Sequence, residues 1–165
     1  MFSYIDRRNV GKIQLLSFGQ SIKTELAVFT DGFCEVCPSG WTQFERHCYI
    51  FYNVEKDWAD AERICSSLSG NLVSIHTKDE YKFLREMIYR ATNSHKTTWV
   101  GGYDAVKEGV WFWSDGSKFD FTDWGKGEPN NRGGEGCMEI NLRGEDYVND
   151  GKCQLKRSFI CAREP

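Results

Sequence analysis

The chain has 165 residues, of which 40% are hydrophobic and 15% aromatic, enough to build one packed domain and to exclude disorder throughout. It carries 21 Lys and Arg against 24 Asp and Glu, a net charge of −3, and this absence of a basic excess disfavours a nucleic-acid or anionic-membrane partner. No stretch of the sequence approaches the roughly 20 apolar residues of a membrane-spanning helix.

The chain divides near residue 37. Residues 1–36 lack turn signals and a clear hydrophobic period, and we interpret them as a poorly specified N-terminal tail. The apolar runs in this tail are short and interrupted by polar residues, so they do not make a convincing export signal. Residues 37–165 are dense in aromatic residues and turn signals, which predicts a single domain over this range.

The first half of that domain is predicted to contain a hairpin, two helices and a short strand. Alternating apolar residues over 41–52 indicate the hairpin. Asp57 can cap a helix with an apolar period near 3.6, and Gly70 is placed to end this helix in a left-handed conformation. Residues 71–76 indicate a strand, and Thr-Lys-Asp-Glu at 77–80 is a capping box that opens the second helix.

The second half is predicted to contain short strands around a long irregular segment. Apolar runs at 99–102 and 110–113 indicate two strands, and strand-like alternation returns at 137–141 and 158–161. Residues 119–136 show neither a helical nor a strand period and are rich in Gly, Asn and acidic residues. Such a long irregular segment inside a compact domain is usually functional or disordered.

The negative charge is concentrated in the second half of the chain. From Asp104 to Asp150 there are 11 Asp and Glu against 5 Lys and Arg, a local charge of −6. Carboxylate and carbonyl oxygens are the ligands of Ca²⁺, so this segment is a candidate cation site. On composition alone, a solvated acidic loop explains the same charge.

The cysteine content indicates an extracellular protein. The seven cysteines are Cys34, Cys37, Cys48, Cys65, Cys137, Cys153 and Cys161. Disulfides persist in oxidising compartments, which favours a secreted location. The odd number leaves one thiol unpaired or bonded to another chain, and composition alone leaves the pairing open.

Taken together, these residues resemble the C-type lectin-like domain family, from about Cys37 to Cys161. The resemblance rests on an ordered set of motifs and on the last four cysteines. The motifs are Cys-Pro-Ser-Gly-Trp at 37–41, Trp-Ala-Asp-Ala-Glu-Arg-Ile-Cys at 58–65, Trp-Val-Gly-Gly at 99–102, Glu-Pro-Asn at 128–130 and Val-Asn-Asp at 148–150. The resemblance implies an α+β fold with two helices, two small antiparallel sheets and a long irregular calcium-binding loop.

The resemblance also implies a set of disulfides. The implied pairs are Cys37 with Cys48, Cys65 with Cys161, and Cys137 with Cys153. Cys34 is then left over, either as a free thiol or as the bridge of a disulfide-linked homodimer. A redox Cys34-x-x-Cys37 pair is disfavoured, because Cys37 has a better partner and no βαβ pattern surrounds it.

The family pattern further implies a calcium site that also binds sugar. The implied residues, in both roles, are Glu128, Asn130, Glu135, Asn149 and Asp150. They offer oxygen ligands only, which suit Ca²⁺, and the scattered histidines do not form a zinc-type set. A cis Glu128–Pro129 bond would turn the side chains on either side of the proline towards one point.

The sugar type is implied by the same motif. Ca²⁺ accepts 6–8 oxygens, so two hydroxyls of one sugar can complete its shell while the five side chains exchange hydrogen bonds with them. In the family, Glu-Pro-Asn accompanies mannose-type sugars with equatorial 3- and 4-hydroxyls, whereas Gln-Pro-Asp accompanies galactose.

The resemblance extends in part to an accessory calcium site. Asp104, Glu108, Asn131 and Glu135 match its pattern. Gly136, however, stands where the family often has a further carboxylate, and the first two acids are equally explained as solvated loop residues.

The sequence therefore predicts a secreted, calcium-dependent, mannose-type lectin without enzymatic activity that serves in innate recognition. The alternative is a calcium-supported protein- or ice-binding domain that resembles the type II antifreeze proteins. A glycosidase with Glu128 and Glu135 as acid and base is disfavoured, because these carboxylates are better used as cation ligands.

Overall fold

The computed structural model describes residues 37–165, and the predictions for residues 1–36, including Cys34, lie outside the described residues. The elements are β1 (Thr42–Phe44), β2 (His47–Lys56), α1 (Trp58–Ser67), β3 (Asn71–Leu72), α2 (Lys78–Thr92), β4 (Thr98–Tyr103), β5 (Phe112–Trp113), β6 (Cys137–Ile140), a 3-10 turn (Leu142–Gly144), β7 (Val148–Gly151) and β8 (Arg157–Arg163). Two helices with a mixed sheet confirm the predicted α+β class.

The eight strands of the described part form one sheet. Its order is β1-β2-β8-β4-β6-β7, with β3 paired to β8 and β5 paired to β4. The prediction of two small antiparallel sheets differs from this at one junction, where Thr98 and Trp99 of β4 pair in parallel with β8. The long chain between these strands allows the parallel pairing, which merges two antiparallel groups into one mixed sheet.

Helix α1 begins as predicted and ends differently. The Asp57 carboxylate accepts the N–H of Asp60 at 2.9 Å, which confirms the predicted cap. The left-handed residue after the helix is Ser69, with φ 60°, so the prediction for Gly70 is wrong. Gly70 has a different role, because a Cβ there would lie 2.3 Å from the carbonyl oxygen of Ala162 on β8.

Helix α2 begins with half of the predicted capping box. Thr77 Oγ1 accepts the N–H of Glu80 at 3.1 Å. The Glu80 carboxylate does not return to Thr77; it accepts the N–H of His76 at 2.8 Å and the hydroxyl of Tyr49 at 2.7 Å. The nearly buried Glu80 therefore joins the helix start to β2, while Leu84 and Ile88 of the same helix lie in the core.

Three disulfides fix the fold, and they are the pairs that the resemblance implies. They are Cys37–Cys48, Cys65–Cys161 and Cys137–Cys153. The second joins α1 to β8 across 96 residues of sequence, and the third closes the end of the β6–β7 pair. A crosslink that closes so long a loop restricts the unfolded chain strongly.

Residues 114–136 form the long irregular loop, and aromatic packing holds its first part. Trp111 and Trp124 lie with ring centroids 4.6 Å apart, and Phe119 lies 4.8 Å from Trp113. Phe121 meets Trp124 edge to face at 5.8 Å. The loop is thus anchored on the core without regular secondary structure. Within residues 37–165, no helix is both long and apolar enough to cross a bilayer.

Substitution of Asp57 tests the cap of α1. Its carboxylate also accepts a hydrogen bond from Lys156 at 2.6 Å, and this bond first, then the Asp60 N–H, lowers the pKa of the carboxyl. We expect Asp57→Ala to lower the free energy of unfolding at pH 7 by about 1 kcal/mol, and Asp57→Asn, which keeps a cap oxygen, by less.

The pH dependence of the Asp57→Asn effect follows from the lowered pKa. Stabilisation by the carboxylate is present above its unfolded pKa of about 3.9 and is lost as the pH falls through the lower folded value. The difference in free energy of unfolding between wild type and Asp57→Asn, measured by urea unfolding, should therefore shrink as the pH is lowered from 7 to about 2. A difference that stays constant over this range would contradict a stabilising role of the ionised Asp57 carboxylate.

Candidate functional site

The predicted cation ligands lie on two parts of the structure. Glu128, Asn130 and Glu135 belong to the irregular loop, while Asn149 and Asp150 are successive residues of β7. Strand β7 pairs with β6 and, like it, is buried along its whole length, so its side chains are held firmly. The site is therefore a loop seated against the edge strand of the sheet.

The Asp150 carboxylate attaches the loop to β7. It accepts the N–H of Asn130 with both oxygens, at 3.0 and 3.1 Å, and the N–H of Asn131 at 2.6 Å. Asp150 is only 1% exposed. Backbone N–H bonds to an ionised acceptor are among the stronger hydrogen bonds, so they define where the loop begins its turn.

Glu128 lies next to this anchor. The Glu128–Pro129 peptide bond is cis, and the Glu128 carboxylate accepts hydrogen bonds from the Asn130 amide and, at 3.2 Å, from the Tyr147 hydroxyl. Burial first, and then the neighbouring Asp150 carboxyl, raise the pKa of Glu128 above its ordinary value. Two adjacent carboxylates repel each other when ionised, and a cation between them relieves that repulsion.

Glu135 closes the turn of the loop. The N–H of Arg132 points at Asn130 Oδ1, 2.8 Å away, and at Glu135 Oε2, 3.0 Å away. The N–H of Glu135 donates to Asn131 Oδ1 at 2.8 Å. The side-chain oxygens of Asn130 and Glu135 therefore share one donor and lie on the same side of the turn.

Asn149 uses its amide nitrogen within the fold. Its Nδ2 donates to Glu139 Oε1 at 3.1 Å and to the carbonyl oxygen of Asp150 at 2.6 Å. These two bonds compete with the hydrogen bond that the Asn149 amide is expected to donate to a sugar hydroxyl. Sequence reasoning missed both Glu139 and Tyr147; the available signal for Glu139 was an acid in an otherwise apolar strand, Cys-Met-Glu-Ile.

The residues of the predicted accessory site line one cavity. Asp104, Glu108, Asn131 and Glu135 surround about 290 Å³. Asp104 is 2% exposed; one carboxylate oxygen accepts the N–H of Gly109 at 2.8 Å, while Oδ1 is buried and has no hydrogen-bond partner in the described part of the chain. Partial desolvation first, and then the charges of Asp104 and Asp150, raise the pKa of Glu108.

The loop beside β7 and the cavity of the accessory site both offer oxygen ligands that suit a hard cation. Among residues 37–165, no group of three His, Cys, Asp or Glu has the arrangement of a metal centre by itself. Asparagine oxygens must complete each set, and amide oxygens are ordinary Ca²⁺ ligands. The unpartnered Asp104 oxygen fits the same cation, because a buried carboxylate oxygen without a donor is costly unless positive charge lies beside it.

Comparison with known proteins gives a consistent result. Residues 54–163 match the family model described as the lectin C-type domain. The chain is 45% identical over 128 residues to the galactose-specific lectin nattectin of Thalassophryne nattereri, covering 77% of this chain and 80% of nattectin. It is 50% identical over 118 residues to ladderlectin of Oncorhynchus mykiss, covering 71% of this chain and 62% of ladderlectin. The match thus spans a little under two thirds of ladderlectin.

A solved structure is similar over the same region. The herring type II antifreeze protein superimposes with a TM-score of 0.73 at 32% identity, covering 78% of this chain and 99% of the antifreeze protein. Sequence and structure therefore agree on the region that is related to known proteins.

The anchoring role of Asp150 is tested by Asp150→Ala. Loss of a charged acceptor should speed hydrogen exchange at the Asn130 and Asn131 amides by at least about tenfold in calcium-free buffer, because each N–H loses a bond to a charged group. Exchange at the core residue Leu84 should change much less. Substitution of the exposed Glu145 by Gln is the matched control and should leave hydrogen exchange at these loop amides unchanged. Equally faster exchange in the Asp150→Ala and Glu145→Gln variants would refute the anchoring role of Asp150.

Proposed function

The chain belongs to the C-type lectin domain family, a non-enzymatic family of carbohydrate-binding proteins, and on this premise we propose that it is a calcium-dependent lectin for mannose-type glycans. The observation that carries the proposal is the contact of the loop with β7. Through the Asp150 carboxylate, this contact places Asn130, and with it Glu128, beside that strand. The five proposed ligands then belong to the loop and to the strand that the loop contacts.

The proposed cation ligands are the side-chain oxygens of Glu128, Asn130, Glu135, Asn149 and Asp150. Bound there, Ca²⁺ supplies positive charge and coordination positions for two neighbouring sugar hydroxyls. The chain itself positions the ligands, since backbone N–H groups hold Asp150 and the Arg132 N–H holds Asn130 and Glu135. Part of the set is therefore oriented before any ligand arrives.

Sugar recognition is assigned to Glu128 and Asn130. In the structure the Asn130 amide donates to the Glu128 carboxylate, so one side chain is a donor and the other an acceptor. A sugar hydroxyl both donates and accepts, and it can replace this internal bond with two bonds of its own. The Glu-then-Asn order supports mannose-type sugars, as in the family pattern. The name of the relative nattectin makes galactose the competing sugar.

An extracellular location is part of the proposal. The described domain has three disulfides, and such bonds persist in oxidising compartments. A homodimer linked through Cys34 stays a prediction; it would supply the multivalency that a small single-sugar contact needs for useful avidity.

Sugar competition tests the proposal directly. Wild-type protein should bind a mannose matrix in CaCl₂, elute with EDTA, and be displaced by free mannose at about one tenth of the galactose concentration, a difference of ~1.4 kcal/mol. The double variant Glu128→Gln/Asn130→Asp exchanges acceptor and donor and should reverse this preference. Glu145→Gln, outside the site, should behave as wild type.

Three results would count against the proposal: binding that survives EDTA, a galactose preference in the wild type, or no sugar binding at all. Similarity to the herring antifreeze protein makes ice binding the second candidate. Thermal hysteresis that EDTA abolishes, without sugar binding, would establish that function in place of the first.

The proposal includes a second calcium at Asp104, Glu108, Asn131 and Glu135. Because Asp104 Oδ1 is buried without a donor from residues 37–165, Asp104→Asn should remove the second ion by weakening its ligand set. Calorimetric titration should give two ions per wild-type chain and one for Asp104→Asn, with Glu145→Gln remaining at two. A wild-type stoichiometry of one, or no change on substitution, would refute the second ion.

A further inference from the structure

A row of polar contacts holds the first part of the long loop on the connection between β3 and α2. Alternate residues, from this connection into the start of α2, take part: Ser74, His76 and Lys78. Ser74 Oγ donates to Asp115 Oδ2 at 2.6 Å, and Lys78 Nζ lies 3.6 Å from Asp123 Oδ2. His76 lies between these two contacts, and histidine is the only one of the three side-chain types that ordinarily changes charge between about pH 5 and pH 8.

His76 meets the loop with both of its ring nitrogens. Nδ1 lies 2.9 Å from Asp120 Oδ1, and Nε2 lies 3.2 Å from Ser117 Oγ. The Ser117 hydroxyl in turn lies 2.6 Å from Asp115 Oδ1, to which the Ser117 backbone N–H also donates at 2.8 Å. The imidazole therefore belongs to a continuous chain of three side-chain contacts that begins and ends at a carboxylate.

These three contacts need three hydrogens, and the number present depends on the charge of His76. An ionised carboxylate only accepts, so the nitrogen that faces Asp120 must carry a hydrogen. A neutral imidazole then has none on Nε2, and the one hydroxyl hydrogen of Ser117 serves either His76 or Asp115. An imidazolium supplies the missing hydrogen on Nε2, and all three contacts become hydrogen bonds.

The charges around the ring favour the imidazolium. The hydrogen bond from His76 first, and its charge as well, lower the pKa of Asp120, so this carboxylate stays ionised where a histidine titrates. The carboxylates that face His76 across the loop and the two adjoining cavities are Asp115, Asp120, Asp123, Glu80 and Glu164, and the permanent cations there are Lys78, Lys118 and Arg163. The remaining titratable groups are His47, Tyr49 and Tyr81. Negative charge is therefore in excess around His76 until the imidazole is protonated.

Solvent reaches this contact. The His76 side chain is 32% exposed and lies between two cavities of about 560 and 190 Å³. Protons therefore exchange with the ring without unfolding of the domain, and the energy of the contact is that of a partly exposed pair, which is modest.

We propose that His76 is a pH-sensitive contact that holds residues 115–120 of the long loop on the β3–α2 connection more tightly at about pH 5.5 than at about pH 8. The contact is complete while both ring nitrogens carry hydrogens, and one hydrogen bond is lost as the pH rises and the second ring hydrogen leaves. Aromatic packing of Phe119 against Trp113 does not titrate and stays at both pH values. This contact is independent of calcium and goes beyond the proposed function.

Hydrogen exchange at the Ser117 amide tests the proposal. The rate is measured by NMR on the full chain in EDTA at both pH values and is divided into the rate of an unstructured peptide at the same pH, which gives the protection factor. We expect this factor to be about threefold to tenfold larger at the lower pH, because opening the loop then breaks one more hydrogen bond. Equal protection at the two pH values would overturn the proposal.

Two histidine variants separate the titration of His76 from other effects of pH. Glutamine donates and accepts but does not titrate, so in His76→Gln the protection of Ser117 should be the same at both pH values. His47→Gln removes a histidine that lines the larger of the two cavities and should keep the wild-type difference. A pH difference that persists in His76→Gln, or that disappears in both variants, would overturn the proposal.

The ring hydrogens of the wild type provide a check that needs no variant. Nitrogen-15 NMR of His76 should show a hydrogen on both ring nitrogens at about pH 5.5 and on Nδ1 alone at about pH 8, because Asp120 accepts from Nδ1 throughout. A hydrogen on Nε2 alone at about pH 8 would overturn the proposal. Neither measurement uses calcium or sugar, so failure here leaves the proposed lectin function standing, and failure of sugar binding leaves the pH-sensitive contact standing.

Discussion

The contact between the Asp150 carboxylate and the backbone of the long loop is the interaction on which the site depends. Residues 114–136 have no helix or strand of their own, so their backbone N–H groups need partners from elsewhere. Asp150 supplies one for Asn130 and one for Asn131. Because Asp150 lies on a buried strand closed by a disulfide, its carboxylate is a fixed point, and the loop takes its position from it.

The buried acids Glu80, Glu139 and Asp104 differ in how their carboxylate oxygens are partnered, and the differences separate structure from function. Glu80 accepts from a tyrosine hydroxyl and a backbone N–H, and Glu139 accepts from an arginine and an asparagine. Asp104 has one oxygen satisfied and one without a partner in the described residues. The unpartnered oxygen of Asp104 is where a cation fits without replacing an existing hydrogen bond.

Much of the fold could be predicted from local sequence because it depends on local chemistry. The caps at Asp57 and Thr77 are short-range hydrogen bonds, and the hairpin over 41–52 follows from alternation. Two details needed distant partners. The Glu80 carboxylate accepts a hydrogen bond from Tyr49 on β2 and does not complete the capping box at Thr77. The parallel pairing of β4 with β8 joins strands that are separated by more than 50 residues in the sequence.

The sequence by itself determined which atoms the site can offer: carboxylates and amides at 128–150, without a zinc-type grouping of Cys and His, in an ordered set that resembles one family. Only the tertiary structure decided which partners those atoms have. A residue name states which donors and acceptors are present, and the fold decides which of them meet. Asp150 accepts the N–H groups of Asn130 and Asn131, which lie 20 and 19 residues earlier in the chain. In the same way, His76 meets Ser117 and Asp120, 41 and 44 residues later, because the loop lies on the β3–α2 connection.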